Sequence, residues 1–143
     1  LLPQPFVTSV MGQNETLRVA LDMTEEWDKA TDGASGLTMG CVVVRTEFAQ
    51  QNKEALDLFL DEYERSVQTV TSAEGLEHAA QLAEQYNIVK APVARKAIPA
   101  CNIVFVQGEQ MQQIAGGFLE VLYQANPKSV GGKLPDANFY YNR

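Results

Sequence analysis

The 143 residues contain one histidine, His78, and two cysteines, Cys41 and Cys101, which stand 60 positions apart and form no CxxC pair. A structural zinc site needs four nitrogen or sulfur ligands, so this inventory excludes one unless carboxylates are recruited. Each cysteine sits in apolar sequence, Met39-Gly40-Cys41-Val42-Val43 and Pro99-Ala100-Cys101-Asn102-Ile103. Both are therefore expected as small buried hydrophobes, with a disulfide between them left open. No apolar run approaches the roughly 18 to 20 residues that cross a bilayer, and the longest candidate, Gly40 to Val44, is the size of a strand. The 11 Lys and Arg residues are scattered, and the net charge is −7. That balance repels a polyphosphate backbone and argues against a nucleic-acid partner.

Catalytic motifs are missing as well. The chain has no GxSxG, HExxH or GxGxxG pattern and no calcium-loop ladder, so the common hydrolase, metalloprotease, dinucleotide and calcium readings lack their parts. Ser129-Val130-Gly131-Gly132-Lys133-Leu134 has the glycines and lysine of a phosphate loop, but Leu follows the lysine where Ser or Thr would hold a metal. The enzymatic alternative is a thiol nucleophile, Cys101, activated by His78. No local spacing joins them. His78 falls between the apolar positions of a helical pattern and reads as a solvated residue.

What is present is the make-up of a folded domain: 45% hydrophobic and 20% charged residues. Leu17 to Met23 alternates and reads as a strand, with Thr24-Glu25-Glu26 supplying a cap and first-turn acids to a helix through Trp27. Leu37 to Val44, with three consecutive valines, predicts a central strand, since β-branched side chains crowd a helix and suit a pleated sheet. Asn102 to Val106 reads as a further extended segment. Helices are expected at Phe6 to Met11 and, from apolar residues recurring at three- and four-residue steps, at Ala55 to Val70, Ala73 to Tyr86 and Met111 to Ala125. Val93 to Ala97 adds a helical turn stopped by Pro99. Gly116-Gly117 inside the last helix costs about 1 kcal/mol per glycine relative to alanine, which calls for close approach of a neighbouring backbone.

Three stretches together resemble the solute-binding proteins of ABC importers, in the nitrate/taurine/sulfonate and thiamine-precursor class. They are Leu1-Leu2-Pro3-Gln4-Pro5-Phe6-Val7-Thr8; Gly40 to Phe48 with Ala55 to Tyr63; and Ala97-Ile98-Pro99-Ala100-Cys101-Asn102-Ile103-Val104-Phe105 with Asn126-Pro127-Lys128-Ser129-Val130-Gly131-Gly132-Lys133-Leu134-Pro135 and Phe139-Tyr140-Tyr141. The resemblance implies an α/β, periplasmic-binding-protein-like (type II) fold, of which this chain is the C-terminal part. Residues 1–36 would be the last piece of lobe two, and 37–143 the returning part of lobe one. It implies a small-molecule solute held in an interlobe cleft, no catalysis, no cofactor and no metal. The partners would be a membrane permease and the missing N-terminal part of the protein, in an extracytoplasmic setting as a lipoprotein or periplasmic protein. The opening Leu1-Leu2-Pro3 carries no initiator Met or signal stretch, which agrees with a piece of a longer chain.

Gln4, Pro5 and Thr8 are the first candidates for solute contact: Gln4 offers both a donor and an acceptor and Thr8 a hydroxyl, unless Pro3-Gln4-Pro5 only stiffens a hinge. Asn102 is the next candidate, beside a purely structural turn role. Trp27 reads as core rather than as a stacking platform. The competing class is a stand-alone α/β module that binds another protein.

Overall fold

The computed structural model describes residues 1–143 and is all-helical: 61% of the chain is helix and none of it is strand. The expected α/β, periplasmic-binding-protein-like (type II) architecture is thereby overturned. The reason lies in what a strand requires. Leu37 to Val44 and Ile103 to Val106 stay out of helices, as their β-branched content favours, and so does Leu17 to Leu21. A strand, however, is completed by a ladder to a second segment, and beyond a single turn bond, from the Leu17 amide to Asn14, none of these residues shares a backbone hydrogen bond with another. Local preference is satisfied and pairing is absent. Cys41, expected inside, is consequently exposed, and Cys101 is half-buried; both are free thiols.

The chain divides into two compact units, one of residues 1–18 and 47–105, the other of residues 19–46 and 106–143. In the first, α1 (Phe6–Gln13) packs on α6 (Ala91–Ala97), and α5 (Leu76–Gln85) packs on both α6 and α4 (Lys53–Thr71). The second contains α2 (Met23–Thr31) and α7 (Gly108–Ala125), and the short α3 (Thr46–Gln51) lies where the chain passes from the second unit to the first. All five buried apolar residues, Leu56, Val67, Ala80, Ala94 and Ala97, belong to the first unit. Three of them are alanines on α5 and α6, whose small side chains let those helices approach closely.

Electrostatic ties fasten the same pair of helices. Glu84 accepts from the Lys90 ammonium at 3.0 Å and from the Ala91 backbone N–H at 2.9 Å, so a side chain from α5 satisfies an orphan donor at the start of α6, which has no cap of its own. Between α4 and α5, the Gly75 N–H donates to Ser72 Oγ at 2.9 Å. A Cβ at Gly75 would collide with the Thr69 carbonyl, which makes glycine obligatory in this turn. Asn87, just past the end of α5, stands at φ 56°, a left-handed position that Asn tolerates.

In the second unit Asp22, rather than Thr24, caps α2, accepting from the Thr24 N–H at 2.8 Å and the Glu25 N–H at 3.4 Å. Trp27 lies 5.1 Å from the Phe118 ring and donates from Nε1 to the Ser35 carbonyl at 3.1 Å. Read from the sequence as core, Trp27 is half-buried. Opposite, Gly117 is approached so closely that a Cβ would stand 3.2 Å from Ser35 Cβ and 3.4 Å from the Ala34 carbonyl oxygen. The second glycine of the pair thus has the backbone neighbour that its helical cost demands.

Candidate functional site

At the amino end of α1, Gln4 Oε1 accepts two hydrogen bonds from Thr8, one from Oγ1 at 2.7 Å and one from the backbone N–H at 3.3 Å. Thr8 is the third residue of the helix, so its N–H is one of the donors a helix start leaves orphaned. Gln4 therefore acts as a cap from outside the helix, and the Thr8 hydroxyl locks the amide in place. Pro5 follows a cis peptide bond and occupies the cap position itself. All three residues are half-buried. With its oxygen engaged by Thr8, the Gln4 side chain keeps an NH2 group with two donors for an incoming acceptor.

The structure unites Gln4 and Thr8, and it leaves Asn102 apart from both in hydrogen bonding. Asn102 is exposed at φ 51°, directly after the 3-10 turn Ile98–Ala100 and Cys101. Asn is one of the few residues that tolerate this left-handed conformation, so the turn explains its identity. His78 is exposed on α5. Burial pushes the Cys101 thiol above its usual range, which lowers its thiolate fraction at neutral pH and weakens it as a nucleophile.

Each unit also carries a concavity. In the second unit, Gln112, Gly116, Leu134, Pro135 and Tyr140 line a cavity of about 190 Å³ open to solvent. The sequence reading missed Gln112 and Tyr140 as lining residues; the signal available was Gly116, where a Cβ would stand 3.6 Å from the Tyr140 hydroxyl. In the first unit a wide, shallow groove of about 500 Å³ runs past Arg65, Gln68, Thr69, Ser72 and Glu74. The glycine-rich stretch near the carboxyl end is not shaped as a phosphate loop. Gly131 and Gly132 have positive φ, and their N–H groups bond back to the carbonyls of Lys128, at 3.3 Å, and Pro127, at 2.8 Å. Those donors are spent within the turn.

In the second unit the cavity offers neutral hydrogen-bonding groups, Gln112 and Tyr140; in the first, the groove adds the charged Arg65 and Glu74. No group of three or more His, Cys, Asp or Glu side chains converges to hold a metal ion. No helix is long and apolar enough to cross a membrane. No protein-family model, no curated protein and no solved structure matches this chain.

Proposed function

We propose that the chain is part of the extracytoplasmic solute-binding component of an ABC importer, contributing one wall of a small-molecule trap that delivers its solute to the membrane permease. The observation that carries this reading is the Gln4–Thr8 pair. It holds a neutral amide donor in a fixed place on a half-buried turn, and neither side chain titrates or attacks. Such groups orient a solute without transforming it. The turn lies in the first of the three stretches that resemble this class of binding protein, and the third stretch supplies the most specific similarity.

Both concavities are open, and an open surface binds a small solute weakly because most of the ligand stays in water. The reading therefore needs a second wall, and the resemblance assigns it to the missing N-terminal part of the protein. The test is a thermal-shift screen of the protein extended by its N-terminal part, against sulfonates, thiamine-pathway pyrimidines and other small nitrogen compounds. A ligand that binds only the folded form raises the melting temperature by mass action. One class should raise it, and Gln4→Ala should diminish the rise; a flat response across the panel would remove the proposal.

A second reading, an interaction module for another protein, draws on Met39, Val43 and Val104, all largely exposed. In that case the melting temperature answers to a polypeptide and to no solute.

A further inference from the structure

The chain exposes 10,753 Å². A closed monomer of its 15.7 kDa mass exposes about 7,300 Å² by the scaling of surface with mass, and two independent bodies of half that mass together expose about 8,800 Å². Even the second comparison leaves a surplus of about 2,000 Å², and one subunit of an obligate dimer contributes about 1,000 to 2,500 Å² to its interface. The exposed surface matches what such a dimer covers.

Leu37 to Val44 shows where the covering would be centred. The segment reads LTMGCVVV, without a charge, proline or bulge-forming turn among its eight residues. It belongs to no helix, and none of its backbone groups bonds to another backbone segment. Met39 and Val43 are 81% and 78% exposed, and Val42 is 50% exposed. Natural sheet edges are protected by charges, prolines, bulges or a covering element; here all are lacking while the donors and acceptors stand open.

We propose that Leu37 to Val44 pairs antiparallel with the same segment of a second copy of this chain, around a two-fold axis. This inference is independent of the transport reading. The segment free of secondary structure runs from Gly36 to Arg45, before Thr46 opens α3, and a two-fold axis sets residues of the same side opposite one another, which leaves two registers, one about Gly40 and one about Cys41. The proposed register is the one about Cys41, with Cys41 opposite Cys41 of the second copy and Met39 opposite Val43. Directly opposed residues in an antiparallel pair point to the same side. This register therefore gathers Met39, Cys41 and Val43 of both copies on one apolar face, whereas a slip by one residue would divide them between faces. Opposed Cα atoms stand about 4.5 or 5.5 Å apart, within the span a disulfide bridges.

The test uses the 143-residue chain. Analytical ultracentrifugation at micromolar concentration under reducing conditions should give the mass of two chains, and Val43→Lys, at a site exposed enough to leave each unit intact, should give the mass of one. Diamide, which accepts the two protons and two electrons released when two thiols join, should convert Cys101→Ser into a covalent dimer and leave Cys41→Ser uncrosslinked. A monomeric parent chain would overturn the proposal and direct the search to a different polypeptide as the covering partner. A dimer that survives Val43→Lys, or that fails to crosslink through Cys41, would overturn it as well.

Discussion

Arg95 grips Glu77 through two hydrogen bonds, Nε to Oε2 at 2.6 Å and Nη2 to Oε1 at 2.7 Å, although 18 residues separate them in sequence. This two-pronged match of a planar guanidinium to a carboxylate links α6 to α5 with a defined geometry. The guanidinium holds the Glu77 carboxyl below the usual carboxylate range. On the same helix the Ala91 N–H, then the Lys90 ammonium, do so for Glu84.

Both folded-state values lie below the unfolded ones, so the stabilisation is present above the ordinary carboxylate range and is lost as pH falls through the depressed values. Chemical denaturation of the first unit should show stability declining on the acid side of that range. Glu77→Gln and Glu84→Gln together should flatten the decline. Because both carboxylates are exposed to solvent, added salt should shrink the effect. Unchanged acid sensitivity in the double variant would show that other groups govern it.

Neighbouring glycines on α7 should respond in opposite directions to alanine. At Gly116 the new Cβ would make an ordinary 3.6 Å contact with the Tyr140 hydroxyl, so Gly116→Ala should gain up to about 1 kcal/mol of helix propensity. At Gly117 the Cβ would press on Ser35 and on the Ala34 carbonyl, and Ser35 is 8% exposed with little room to retreat. Gly117→Ala should lose about 1 kcal/mol net, overpacking outweighing propensity. Urea denaturation of the pair measures both signs.

Small residues set the approach of α5 and α6. Ala94 is 1% exposed, so Ala94→Leu should force the helices apart and cost about 1 to 3 kcal/mol. An exposed change on the same helix, Lys96→Ala, should stay within about 0.5 kcal/mol. Equal effects from both would mean that this seam is loosely packed.

The single-thiol variant Cys41→Ser should be alkylated by iodoacetamide more slowly than free cysteine at neutral pH, since burial raises the remaining Cys101 thiol. A faster rate would restore the thiol-enzyme alternative.

Helices were legible wherever a face repeats. The steps through Leu56, Leu60, Tyr63 and Val67 place α4 within two residues of its observed ends, because side-chain periodicity and helical geometry are the same fact. Strands were not legible, since Val42-Val43-Val44 records a preference that becomes a strand only when a partner arrives, and the partner is a property of distant chain. Asp22 was missed as the α2 cap because it lies within an apparent alternation, while Thr24 seemed to begin the acidic turn. At the candidate site Gln4 and Thr8 were legible only as hydrogen-bonding types, because their mutual bond and the capping role depend on the turn that places Gln4 beside the first turn of α1. The cavity beside Gly116 depends on Tyr140, 24 positions away, and no local pattern connects them.

Gln4 serves structure and proposed recognition through different atoms. Its oxygen caps α1, so Gln4→Ala should destabilise the first unit by about 1 kcal/mol. Gln4→Glu keeps the acceptor and loses the NH2 donors, so it should retain most of the stability and lose solute affinity. Parallel loss of both properties in Gln4→Glu would reduce the residue to its capping role.

The most direct measurement of the central claim is isothermal titration of the protein, joined to the N-terminal part that the proposal assigns to it, with the solute class selected in the thermal screen, followed by mass analysis of the recovered solute. Saturable binding that weakens in Gln4→Glu, with every recovered molecule chemically unchanged, is the expected result. A converted solute, or no binding heat from any member of the panel, would contradict the account.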